Sequence, residues 1–71
     1  MRKGKLSLKP QELLILKTLL ECDFYLSTAQ VAVIANVSWN TADKYLHKFR
    51  TQNWVENLKR GNRNYWQVYR E

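Results

Sequence analysis

The sequence predicts a mostly helical α+β domain, three helices followed by a C-terminal β-hairpin, and three observations carry that prediction. Apolar residues recur at helical spacing in two stretches, capping signatures divide the helical part into three segments, and near residue 54 the pattern switches to aromatic and β-branched residues around a turn. A chain of 71 residues has room for one compact domain. The expected organisation is a basic arm over residues 1–5 and a single domain over residues 6–71.

Leu8-Lys9-Pro10 leads into the first helix, about residues 10–22, in which Leu13, Leu14, Ile15, Leu16 and Leu20 recur at helical spacing. Pro10 suits a first turn, and Glu12 there favours the positive end of the helix dipole. This is read as an amphipathic packing helix. Asp23, Phe24, Tyr25 and Leu26 break the period, and Phe24 and Tyr25 are expected to cover the end of the first helix. Ser27-Thr28-Ala29-Gln30 then matches a capping box and opens a second helix, about residues 28–35, closed by Asn36, which tolerates the left-handed conformation. So short a helix must be held by neighbours.

Ser38 is the expected N-cap of a third helix, about residues 39–52, whose Ala42, Tyr45, Leu46 and Phe49 share one face at i, i+3, i+4 and i+7. Furthest from that face lie Asn40, Lys44, His47 and Thr51, with Asp43 and Lys48 on the flanks. Residues 54–69 form the predicted hairpin, turning through Arg60-Gly61-Asn62-Arg63, so that Lys59, Arg60 and Arg63 gather at its tip. Trp54, Tyr65, Trp66 and Tyr69 are expected to fill the space between hairpin and helices.

Twelve Lys and Arg against six Asp and Glu give a formal net charge of +6, and polyanions are the natural partners of such a balance. The excess is uneven: residues 1–36 carry five basic and three acidic groups, residues 37–71 seven and three. A lone Cys22 makes no internal disulfide, and no Cys or His cluster has metal-ligand spacing, so no metal or other cofactor is expected and the cytoplasm is the default compartment. No apolar run approaches the roughly 20 residues that span a bilayer, which excludes a membrane partner. Nor is catalysis expected, because the one histidine has only Asp43, at i−4, within reach, and neither a Gly-rich phosphate loop nor paired acids occur.

Short helix, tight turn, longer helix and a hairpin with a basic tip is the element order of a winged helix-turn-helix. Ala32, Asn36, Val37, Ser38, Ala42, Tyr45 and Leu46 stand at the spacing usual there, and the segment from Thr51 through Glu56 looks like the passage from the third helix into the first wing strand. The chain thus resembles the winged helix-turn-helix family of small DNA-binding transcriptional regulators over roughly residues 6–70. Asn36 and Asn53 stand where that family often has Gly, and Tyr45 is bulkier than its usual aliphatic residue.

The resemblance implies a regulator, of repressor or accessory type, that binds double-stranded DNA by laying its third helix in the major groove. Asn40, Lys44 and His47 are then the candidates for base readout, with Trp39 and Asp43 beside them, while Ser38, Thr41 and Lys48 are placed for phosphates. Lys59, Arg60 and Arg63 would follow a backbone or enter a minor groove, and Arg2, Lys3 and Lys5 of the arm would add phosphate contacts. Homodimer and monomer both stay open, the first helix and the second wing strand being the candidate dimer surfaces. Two other readings compete: a protein-interaction winged helix in a larger nucleoprotein assembly, and an RNA or single-stranded DNA binder stacking bases on Trp54, Tyr65 and Trp66.

Overall fold

The structure, a computed structural model, describes residues 9–69; the basic arm over residues 1–5 lies outside them. Its elements in chain order are α1 (Pro10–Leu20), β1 (Leu26–Ser27), α2 (Thr28–Ala35), α3 (Trp39–Thr51), β2 (Val55–Arg60) and β3 (Arg63–Val68).

Pro10 opens α1, and Glu12 reaches back so that its Oε1 accepts the Lys9 N–H at 2.8 Å. The face of α1 turned to the core consists of Glu12, Ile15, Thr18 and Leu19, with Leu16 at its edge. That corrects the leucine-based reading: Leu13, Leu14 and Leu20 are about half exposed. Four consecutive apolar residues at about 100° each sweep most of a turn, so only some of them can face one neighbour. Phe24, expected to cover the end of α1, is 62% exposed. Tyr25 is half-buried, and its hydroxyl donates to Glu56 Oε1 at 3.3 Å.

The capping box of α2 forms in both directions: Ser27 Oγ accepts the Gln30 N–H at 3.1 Å, and Gln30 Oε1 accepts the Ser27 N–H at 2.9 Å. Asn36 then adopts φ 60°, with Val37 N–H bonded to Ala32 O at 3.0 Å and Asn36 N–H to Val33 O at 3.2 Å. The end of α3 repeats this arrangement, Asn53 at φ 63° being flanked by Trp54 N–H on Phe49 O and Asn53 N–H on Arg50 O, each at 3.0 Å. Both helices therefore close in Schellman motifs built on Asn, which meets the left-handed requirement that Gly usually meets.

One strand is absent from the sequence reading. Leu26 and Ser27 pair antiparallel with Trp66 and Tyr65, so the sheet order is β1-β3-β2 and β3 is its centre. Two residues are too few to display a strand period, which is why this segment reads only as an interruption. The central position also withdraws the second hairpin strand as an edge for dimerisation, because at Tyr65 and Trp66 it is paired on both sides. At the far end β2 and β3 connect through Gly61 and Asn62; Gly61 alone of the two has positive φ, at 61°, the pattern of a type II′ turn.

The core gathers Ile15 and Leu19 of α1, Val31 of α2, Leu46 and Phe49 of α3 and Leu26 of β1 around Trp66, which is fully buried. Its indole Nε1–H donates to Thr28 Oγ1 at 2.8 Å, tying the middle strand to the first residue of α2. Trp54 stacks at a tilt on Phe49 with centroids 5.5 Å apart, whereas Tyr69 stays exposed and Tyr65 faces away from the core, so the expected aromatic core is made by two of the four residues proposed for it. Trp66→Phe removes the donor and leaves the buried Thr28 hydroxyl unpaired, which should cost about 1–3 kcal/mol. Urea denaturation checks this, and Trp66→Phe combined with Thr28→Val should recover part of the loss because both polar partners are then gone.

Candidate nucleic-acid interface

The α2–turn–α3 unit packs through small residues: Ala32 and Ala35 of α2 and Ala42 of α3 are buried, which lets the two helices approach closely. Ser38 caps α3, its Oγ accepting the Thr41 N–H at 3.1 Å while its own hydroxyl donates to Thr41 Oγ1 at 2.8 Å. With Ala42, Tyr45, Leu46 and Phe49 buried, the opposite face carries exposed Asn40, Lys44 and His47. Tyr45 points inward despite its hydroxyl, and its ring lies 5.1 Å from Lys44 Nζ and 6.0 Å from Lys48 Nζ.

Two of the predicted site residues are engaged with neighbours while staying about half exposed. His47 is held on two sides, with Nε2 3.2 Å from Asp43 Oδ1 and its ring edge-on to Trp66 at 5.0 Å between centroids. Lys48 turns towards α1, where Nζ donates to Glu12 Oε2 at 2.6 Å. Glu12 is 1% exposed and was missed as a structural residue, since the sequence shows only an acid in a first turn and gives no sign of a partner 36 positions later. Trp66 has no free face, which removes it from any stacking platform for single strands.

On the hairpin, Arg60 and Arg63 face each other directly across β2 and β3, so they share one side of the sheet while Lys59 takes the other. Like charges in that position repel. Among the described residues none of Lys44, Lys59, Arg60 and Arg63 has an ion-pair partner. The hairpin turn and the start of α3 meet at a cleft of about 380 Å³ lined by Ser27, Thr28, Ala29, Trp39, Asn62, Arg63 and Asn64. The fold thus joins the two clusters that the sequence separates by some twenty residues, α3 and the basic turn.

No protein-family model matches the chain, and no curated protein does. Solved structures do. NolR from Sinorhizobium fredii superposes with a TM-score of 0.73 at 24% identity over 89% of this chain and 61% of that one. HlyU from Vibrio cholerae, in its reduced form, gives 0.69 at 21% identity over 82% and 59%. The fold is a winged helix. Human N-acetylserotonin methyltransferase also matches, with a TM-score of 0.73 at 20% identity over 83% of this chain, but only 17% of that enzyme is covered. In each case the chain spans less than two thirds of the other protein. Among the described residues no helix is long and apolar enough to cross a membrane.

Within this winged helix the Glu12–Lys48 pair ties α3 to α1. The Lys48 hydrogen bond, then the Lys9 backbone N–H, hold the Glu12 carboxyl below its ordinary value against the opposing effect of burial. A carboxylate depressed in the folded state contributes stability that is fully present above the unfolded pKa and lost as pH falls through the folded one. Thermal melts should therefore show a steep acid limb below the ordinary carboxylate range, and Glu12→Gln should lower the melting temperature near neutrality while flattening that limb.

Proposed function

We propose that this chain is a sequence-specific double-stranded DNA-binding protein, a cytoplasmic transcriptional regulator of repressor type that acts by occupying its site and carries no catalytic activity. The observation that supports this most directly is the cross-strand Arg60–Arg63 pair at the tip of the wing, two cations at directly opposed strand positions with no ion pair among the described residues. Such a pair is relieved when a phosphate lies between or along its members.

In this reading α3 enters the major groove and the wing follows the backbone or the adjacent minor groove. Asn40 pairs with adenine and Lys44 donates to guanine, the side-chain chemistries that groove edges select. His47, oriented by Asp43, supplies a third readout group. Ser38, Thr41 and Lys59 approach phosphates, whereas Lys48 is assigned to α1 because its charge is already matched by Glu12. A homodimer through the exposed Leu13 and Leu20 of α1 would read half-sites about 34–36 Å apart.

Arg60→Ala with Arg63→Ala should weaken binding to every duplex and reduce the magnitude of the salt slope by about 1–2, measured by titration across a salt series. An unchanged slope would take the wing out of the interface. Lys44→Ala should instead relax preference at about one or two base pairs in a selection from random duplexes, and a uniform loss on all sequences would refute its readout role.

A second reading, a protein-interaction winged helix, draws on one feature: Val33 and Ile34 lie on the outer face of α2, Val33 being 78% exposed. Binding of a protein partner that persists at high salt, with no duplex affinity in dilute salt, would favour it.

A further inference from the structure

We propose that the cleft between the start of α3 and the wing turn seats one sugar–phosphate strand of the duplex, with the Trp39 indole against a deoxyribose and Arg63 on the neighbouring phosphate. This rests on the DNA reading above and assigns to Trp39 a role distinct from base readout.

Trp39 is the first residue of α3 and is 52% exposed, unusual for the largest apolar side chain. At about 100° per residue it falls within roughly 20° of the Leu46 direction and more than 100° from Lys44, so it does not share the face that would read bases. It lies on the core side of the helix but beyond the end of the core, and there it forms one wall of the cleft. The opposite wall is the wing turn, with Asn62, Arg63 and Asn64.

The chemistry of those walls selects the occupant. A nucleotide backbone alternates an anionic phosphate with a sugar whose C–H faces are apolar, and the cleft is lined by Trp39, Arg63, Asn62 and Asn64 together with Ser27, Thr28 and Ala29 at the start of α2. None of its lining residues is acidic, and Arg63 has no ion pair among the described residues. The position fits as well. A strand that borders the major groove occupied by α3 must pass between that helix and the wing, and the cleft opens at that crossing. A volume of about 380 Å³ is of the size that holds small ligands, enough for one nucleotide's sugar and phosphate.

The experiment uses the full chain and a short duplex of random sequence in dilute salt. Because Trp54 is half-buried and Trp66 fully buried, Trp39 is the tryptophan a strand would reach. Duplex addition should quench tryptophan fluorescence in the wild-type chain, and Trp39→Phe should abolish the quench while binding persists by anisotropy of a labelled duplex. Trp39→Ala should weaken binding about five- to tenfold on all sequences alike, the effect of uncovering on the order of 50 Å² of apolar surface, and leave the salt slope unchanged. Arg63→Ala should lower the slope by about one. A quench retained in Trp39→Phe overturns the cleft while leaving DNA binding intact. So does a Trp39→Ala variant that loses base preference, which would make Trp39 a base reader, or one that loses affinity for single strands only. If the wild-type chain ignores duplexes altogether, the DNA reading falls and this inference with it. Trp39→Phe keeps an aromatic ring at this position, so it preserves the test should Trp39→Ala fail to fold.

Discussion

Everything that positions this molecule's working surface passes through the burial of Trp66. Its ring fills the centre of the core, its indole N–H is satisfied by Thr28, and His47 of α3 packs edge-on against it. One side chain on the middle strand therefore touches the start of α2 and the outward face of α3 and fixes the wing relative to both. A buried indole whose N–H lacks an acceptor is costly, so the Thr28 contact also specifies which face of the hairpin turns inward.

Charge is distributed in the same spirit. The acids with described partners are spread over the fold: Glu12 of α1 pairs with Lys48, Asp43 of α3 with His47, and Glu56 of β2 accepts from Tyr25. Among the described residues, Lys44 on the outer face of α3 and Lys59, Arg60 and Arg63 at the wing have no ion pair, and neither have Lys9, Lys17 and Arg50 elsewhere on the surface. A surface arranged this way is self-repulsive, and the fold accepts that repulsion at a turn, where strands of six residues hold the two arginines in register. Repulsion so placed is relieved by binding an anion and not by refolding.

The helices and the hairpin were legible because their signals are local. Ser27 with Gln30, Ser38 with Thr41, and Asn36 each act within one turn of chain, and Ala42, Tyr45, Leu46 and Phe49 display the helical period directly. What was not legible depends on partners distant in sequence. The strand at Leu26 and Ser27 exists only because β3 lies beside it, 40 and 38 residues away by the pairing with Trp66 and Tyr65. The buried face of α1 includes Glu12 and Thr18 and leaves out three leucines, since Lys48 and the Leu14 carbonyl satisfy those polar groups where leucine would otherwise be preferred. Of the candidate site, the identities of the outward α3 residues and the basic turn could be read from spacing. The Lys48–Glu12 contact and the shared cleft of Trp39 and Arg63 could not.

The tight turn at Gly61 and Asn62 limits how far this protein can feel along a polymer. Val55 and Trp66 are fixed in the core, so only about three residues of each strand, between Leu58 and Tyr65, project beyond it, an overhang of roughly 10 Å. That is less than the width of one major groove, about 12 Å. In the proposed DNA reading, the wing of one copy therefore follows the backbone only beside the groove that α3 enters, and a second copy of the chain is what would lengthen the contact along the duplex.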